Sequence, residues 1–338
     1  MAGLTRRRWL MTFSMFATAV ARPLGAIRAS QGGSPPVRVR SLNHFGIAVS
    51  DPARSIDFYQ GLFGMPVQAR QGTTTLLRVG NGPQFLSLRP VDAGEKPRIT
   101  HFGLGVERFD VDEIIRALGA RGVTKADTLG PMRARVGEGG AGVTFGDPDG
   151  IVCRLHDATY CGGSGPLGTQ CSPTESPKKG LIALSDLNHL TVFSGDAARA
   201  NSFYKDLFGF SIRSYQGPAP TLAVGPTVQF LMVTGGAGGR GGAAPRPAAI
   251  DHVCFSLEGF NADQIIKTLE SYGLKPAEAQ GRDAPLRHYV TMRMPNRGGA
   301  PGGTPELYFT DPDTLPIQLQ DASYCGGSGV LGSECPRA

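Results

Sequence analysis

The chain has 338 residues, with 34 Lys and Arg against 28 Asp and Glu and a formal charge of +6. Residues 1–30 hold five of those arginines (Arg6, Arg7, Arg8, Arg22 and Arg28) and no acid, so the remainder stands at only +1 and offers no electrostatic case for nucleic-acid binding. The 48 glycines and 26 prolines favour many short strands and turns over long helices, and about 300 residues beyond the first segment suggest two domains.

The N-terminus runs Thr5-Arg6-Arg7-Arg8-Trp9-Leu10-Met11 and continues weakly apolar to about Ala26. This run is too short and too polar to span a membrane, and it resembles a twin-arginine export signal. Residues 1–30 are therefore expected to be removed between Ala26 and Ser30, leaving a periplasmic or secreted protein with no stable membrane span.

His44–Val49 alternates and predicts a strand. Asp51-Pro52 opens a helix whose apolar residues Ile56, Tyr59, Leu62 and Phe63 lie three to four apart, and Gly64 ends it. Three short strands are predicted near 67–69, 74–79 and 84–88. The order then restarts, with a strand over 99–106, a helix over 111–118, and strands over 143–145 and 151–155.

The whole arrangement recurs. Leu42-Asn43-His44 returns as Leu187-Asn188-His189, and Phe58-Tyr59-Gln60-Gly61-Leu62-Phe63-Gly64 as Phe203-Tyr204-Lys205-Asp206-Leu207-Phe208-Gly209, both 145 residues later. Ile114-Ile115 returns as Ile265-Ile266 after 151 residues, and Asp147-Pro148-Asp149 as Asp311-Pro312-Asp313 after 164. The growing offset implies two insertions in the second copy, expected in glycine-rich loops near 235–247 and 287–304. The first domain is placed at 40–172, with modules 40–90 and 98–158 and a cysteine tail at 160–171. A linker at 173–184 leads to the second domain at 185–336, with modules 185–235 and 248–322 and a tail at 324–335.

A strand starting near a histidine, an FYxxLFG-type helix, and a DPDG turn before a final strand resemble the vicinal oxygen chelate superfamily. Glyoxalase I, bleomycin-resistance proteins and type I extradiol dioxygenases belong to it. The resemblance implies an α+β fold of four βαβββ modules, paired into two half-open barrel domains by tandem duplication, with metal ligands on each concave face.

Four of the six histidines open the four modules: His44, His101, His189 and His252. On an alternating strand His44 shares a face with Gly46 and Ala48, while Phe45, Ile47 and Val49 point the other way. Neutral imidazole is a common metal ligand, and two from matching strands make two corners of a site. In the superfamily the third corner is an acid in the final strand. Here that position is Gln318 in the second copy and Arg154 in the first. Glutamine offers a neutral carbonyl oxygen, whereas arginine has no acceptor and cannot ligate.

The second copy is therefore the expected metal centre, through His189, His252 and Gln318. A weaker set is His44, His101 and His156 in the first copy, where Arg154 suits an anion or carboxylate instead. Tyr308, ten residues before Gln318, looks like the tyrosine that hydrogen-bonds a catechol oxygen in extradiol dioxygenases. His288 is a candidate acid/base over the pocket. Two imidazoles and one oxygen leave positions open for substrate and O₂.

The leading expectation is a metal-dependent oxidoreductase resembling extradiol dioxygenases, with Fe(II) favoured and Mn(II) or Zn as alternatives, acting on a small aromatic or vicinally oxygenated molecule. A glyoxalase-type lyase or isomerase needs further ligands near Ser87 and Met232, neither a good ligand. A non-catalytic periplasmic binder is the third reading.

The tails repeat as Cys-Gly-Gly-Ser-Gly-x-Leu-Gly-x-x-Cys. In an oxidising compartment Cys161–Cys171 and Cys325–Cys335 are expected to form disulfides, while Cys153 and Cys254 are expected to be buried and unpaired.

Overall fold

The computed structural model describes residues 34–235, 247–278 and 284–336. Residues 1–30, expected to be an export signal, and most of the insertion near 235–247 lie outside the described residues.

The first half comprises β1 (Val39–Val49), α1 (Pro52–Phe63), β2 (Val67–Gln71), β3 (Thr74–Arg78) and β4 (Phe85–Pro90), then β5 (Arg98–Val106), α2 (Val111–Gly119), β6 (Thr124–Lys125), β7 (Arg133–Val136), β8 (Val143–Gly146) and β9 (Val152–Asp157). The second half repeats it as β10 (Asp186–Ser194), α3 (Ala197–Phe208), β11 (Ile212–Gln216), β12 (Ala219–Ala223) and β13 (Phe230–Gly235), then β14 (Ala249–Leu257), α4 (Ala262–Ser271), β15 (Lys275–Pro276), β16 (Arg287–Arg293), β17 (Thr304–Thr310) and β18 (Pro316–Asp321).

Each half is one nine-stranded sheet, ordered β2-β3-β4-β1-β5-β9-β8-β7-β6 and β11-β12-β13-β10-β14-β18-β17-β16-β15. Two βαβββ modules join through their first strands, β1 to β5 and β10 to β14, both antiparallel. These are the half-open barrels of an α+β tandem fold. β6 and β7, with their counterparts β15 and β16, had no clear alternation in sequence. β6 has only two residues, too short for a period to register.

Helix α1 begins where expected. Asp51 caps it by accepting from Arg54 N at 3.1 Å, with proline in the first turn, and Gly64 closes it in the left-handed region at φ 66°. A side chain there would be doubly opposed, because a Cβ would also meet the Lys179 carbonyl at 2.4 Å. Gly209 ends α3 in the same way.

Alternation along β1 and β10 sorts the two faces. Phe45, Ile47 and Val49 lie in a single hydrophobic cluster that also takes Phe58, Tyr59, Phe63, Phe203, Tyr204, Phe208, Phe255 and Phe309. Phe45 meets Phe255 at a 5.5 Å ring separation, and Phe145 meets Phe203 at 6.0 Å. The two sheets therefore share one core across helices α1 and α3, and the histidine faces turn away from it.

The second insertion differs from expectation. Only residues 294–303 of it lie outside strands. The β7–β8 hairpin closes at Val136↔Val143. Its counterpart continues three pairs beyond the matching Val290↔Leu307, through Thr291↔Glu306, Met292↔Pro305 and Arg293↔Thr304. The extension pays off in hydrogen bonds inside the sheet rather than in solvent, and Arg293, only 1% exposed, anchors it.

Among the described residues no helix is long and apolar enough to cross a membrane. Both expected disulfides are present, Cys161–Cys171 and Cys325–Cys335, and Cys153 and Cys254 are free and buried. Each bridge closes a short loop that contributes on the order of 2–3 kcal/mol by chain entropy.

Candidate metal centre

Three neighbouring strands bring the second-domain residues together. His189 on β10 lies opposite Cys254 on β14, and Cys254 lies opposite Gln318 on β18. His252, two residues before Cys254, shares that face. The imidazoles of His189 and His252 stand edge to face at 5.7 Å between centroids. His189 is also stacked on Phe230 at 4.3 Å, which leaves it little freedom to turn.

The proton on each ring follows from its partner. Asn188 donates from Nδ2 to the Tyr324 carbonyl at 2.8 Å, so its Oδ1 is an acceptor, 2.7 Å from His189 Nδ1. His189 therefore carries its proton on Nδ1 and presents a bare Nε2. His252 is held likewise, Nδ1 lying 2.9 Å from Asp251 Oδ2. This arrangement of an imidazole steadied by an outer oxygen is how metal-binding histidines are oriented. Burial, and then the neighbouring His252, keep His189 neutral well below its ordinary pKa.

Gln318 is 1% exposed, its amide lies beside the His189 imidazole, and neither its oxygen nor its nitrogen is aligned for a hydrogen bond of good geometry. An amide left unpaired in the interior costs roughly 1–3 kcal/mol per group. Two bare imidazole nitrogens and an unpaired amide oxygen on one face form a neutral donor set that fits a divalent cation. Among the described residues no three His, Cys, Asp or Glu side chains are grouped as a metal site.

His189, His252, Gln318 and Tyr308 all line one cavity of about 300 Å³. The Tyr308 ring lies edge to face on His252 at 5.2 Å and stacks on Tyr289 at 5.1 Å. Burial, and then Glu306, raise its pKa, so the hydroxyl keeps its proton. Glu306 also lines the cavity. It accepts from Arg293 Nε at 2.8 Å and from the Tyr324 hydroxyl at 3.2 Å. Sequence reasoning missed Glu306. Its signal was present, since Glu306 and Tyr308 are two apart and must share a strand face. The orienting roles of Asn188 and Asp251 were missed too, although Asn recurs before both first-strand histidines.

His288 does not reach this cavity, contrary to expectation. It sits on β16 opposite Phe309, out of step with Tyr289, which pairs with Tyr308. Strand alternation sends it to the far face, where it is 5% exposed and its Nε2 lies 3.3 Å from Glu270 of α4. Met232 lines the cavity without offering a hard donor, and Ser87 is buried in the other domain.

The first domain also gathers its histidines. His44 stacks on Phe85, meets His101 edge to face at 5.4 Å, and lies 5.5 Å from His156. Its Nδ1 is 2.8 Å from Asn43 Oδ1, repeating the second copy. Arg154 pairs with Gly103 in the register that Gln318 takes with Cys254. Its positive charge helps to hold His44, His101 and His156 neutral, after burial as the main cause in each. The same charge opposes a cation there.

The chain is 29% identical over 152 residues to the glutathione transferase FosA of Serratia marcescens, covering 44% of this chain and 98% of that protein. It is 27% identical over 123 residues to the metallothiol transferase FosB of Shouchella clausii (strain KSM-K16), covering 36% and 82%. Among solved structures, a catechol 2,3-dioxygenase matches with a TM-score of 0.57 at 15% identity, over 86% of this chain and 88% of that one. The Mn(II)-bound glyoxalase of Novosphingobium aromaticivorans matches at 0.55 and 17%, over 84% and 82%. At such identities the structural likeness speaks to the fold. The family model described as the glyoxalase/bleomycin resistance protein/dioxygenase superfamily matches residues 41–155 and 186–319, and the chain belongs to that superfamily.

Proposed function

We propose that the second domain is the centre of a metal-dependent oxidoreductase of the extradiol-dioxygenase kind, in an exported chain, acting on a small aromatic or vicinally oxygenated substrate. The observation that carries this reading is Gln318, a buried amide that no well-aligned hydrogen bond satisfies, beside two imidazoles whose Nδ1 atoms are already engaged. His189, His252 and Gln318 would hold a divalent cation, with Fe(II) favoured and Mn(II) or Zn as alternatives. Such an ion would supply Lewis-acid binding of adjacent oxygens and, as iron, a route for electrons to O₂.

The chain's own residues do the rest. Asn188 and Asp251 fix the imidazole orientations. Tyr308, protonated and braced between His252 and Tyr289, donates its hydroxyl hydrogen to a substrate oxygen in the cavity. Arg293 and Tyr324 hold Glu306 in place at the wall. The two disulfides favour an oxidising compartment, in keeping with export.

Incubation of iron-loaded protein with catechols and O₂ tests the reading through oxygen uptake and ring-cleaved product. Turnover without O₂ would instead indicate a non-redox lyase or isomerase. A non-catalytic binder is favoured by one observation: the last-strand position holds the amide of Gln318 rather than an acid. It would show substrate affinity without product.

A further inference from the structure

The two copies diverge most around Arg154. Its guanidinium takes the place of Gln318, and its Nε is enclosed and unpartnered. Among the described residues no carboxylate pairs with it. The neighbouring charges that act on it include the cationic Arg135 and Arg89. A guanidinium turned inward without a counter-ion is costly unless a ligand supplies one.

Arg154 lines a cavity of about 580 Å³ with Arg135, Thr144 and His156, one wall of which is the Cys161–Cys171 loop at Gly163, Gly165 and Gly168. One acid, Glu138, lines the same cavity, and it forms no ion pair with either arginine. His156 donates from Nδ1 to the Ala141 carbonyl at 2.9 Å, so its Nε2 is a bare acceptor, and that atom is buried and unpartnered.

Gly142 is what admits the His156 ring to this wall. Position 142 is glycine, and a Cβ there would lie 2.4 Å from His156 Cε1. The residue at the matching point of the second copy is Glu306, and Gln320 stands where His156 does. The first copy thus lacks the buried carboxylate that faces the second cavity, and holds a cation and a lone pair instead.

We infer that the concave face of the first domain binds a small oxyanion that also carries a hydroxyl. The guanidinium fork donates to carboxylate or phosphoryl oxygens, and the His156 Nε2 accepts from the hydroxyl. Monohydrogen phosphate and 2-hydroxy carboxylates share this chemistry. The site does not depend on a metal in the second domain.

Isothermal titration calorimetry of the full mature chain near pH 7.5 tests it, with inorganic phosphate, lactate, sulfate and acetate as probes. Sulfate and acetate present anionic oxygens without a hydroxyl. Phosphate or lactate should bind roughly tenfold or more tightly than its hydroxyl-free counterpart, and the tighter of the two names the ligand type. Arg154→Gln should weaken binding by a similar factor, as should Arg135→Gln at the rim to a smaller extent. His156→Ala should erase the preference over sulfate or acetate. No binding of phosphate or lactate at millimolar concentration, or unchanged binding by Arg154→Gln, overturns the inference. Equal binding of sulfate and phosphate, with equal binding of acetate and lactate, overturns the hydroxyl half of it. Metal content of the same samples reports on the second domain separately.

Discussion

The Tyr59 hydroxyl of α1 donates to Asp311 Oδ2 at 3.1 Å, joining the helix motif of the first copy to the DPD turn of the second. Its mirror is Tyr204 to Asp147 Oδ2 at 2.9 Å. Around each contact the pattern repeats, with Ser50 and Arg54 on Asp313 and with Ser194 and Arg199 on Asp149. The two most regular motifs of the sequence are therefore the two halves of one domain clamp, used twice.

Burial pushes Asp311 up to about 6, from 3.8. The folded chain then binds more protons than the unfolded chain between those values, so this group's contribution to stability is lost as pH rises from about 4 through 6. Relative to Asp311→Asn, the parent should lose up to about 3 kcal/mol between pH 4 and pH 7. Denaturant midpoints of both chains at the two pH values check this. A pH-independent difference would mean that Asp311 titrates normally.

Replacing Tyr59 by Phe removes the donor and leaves a buried carboxylate oxygen unpaired, at a cost of about 1–3 kcal/mol. Thermal unfolding should show the loss, with a comparable loss for Tyr204→Phe. Metal content should stay at the parent level in both.

Much of the fold was legible in the residues. The Asp51-Pro52 start, the Gly64 stop and the inward phenylalanines fix α1 and the buried side of β1 by local rules alone. What could not be read was the pairing between copies. Nothing near Tyr59 indicates that its partner lies 252 residues away. The site divides in the same way. His189, His252, Gln318 and Tyr308 follow from module position, and they meet. His288 does not follow in this way, because a segment read as loop has no alternation to assign it a face. Once Arg287–Arg293 is a strand, Tyr289 and His288 must point oppositely.

His288 therefore gives a discriminating mutant. His288→Ala should lower thermal stability, since the imidazole is packed beside Glu270, while leaving metal content and turnover unchanged. A large fall in kcat with unaltered folding would return it to the active site.

Gln318→Glu adds a negative charge to a neutral donor set. Divalent metal should bind at least about tenfold more tightly, as read by competition with a chromophoric chelator. Equal affinity would remove Gln318 from the donors. Tyr308→Phe should lower kcat/KM with metal content intact, because the ring still packs on His252 and only the hydrogen bond proposed to the substrate is gone.

Elemental analysis of the purified, folded protein, beside His189→Ala and His252→Ala, tests the central claim most directly. About one divalent metal per parent chain and little in either mutant is the predicted result. Metal retained by both mutants, or absent from folded parent protein, would contradict a centre built on His189, His252 and Gln318.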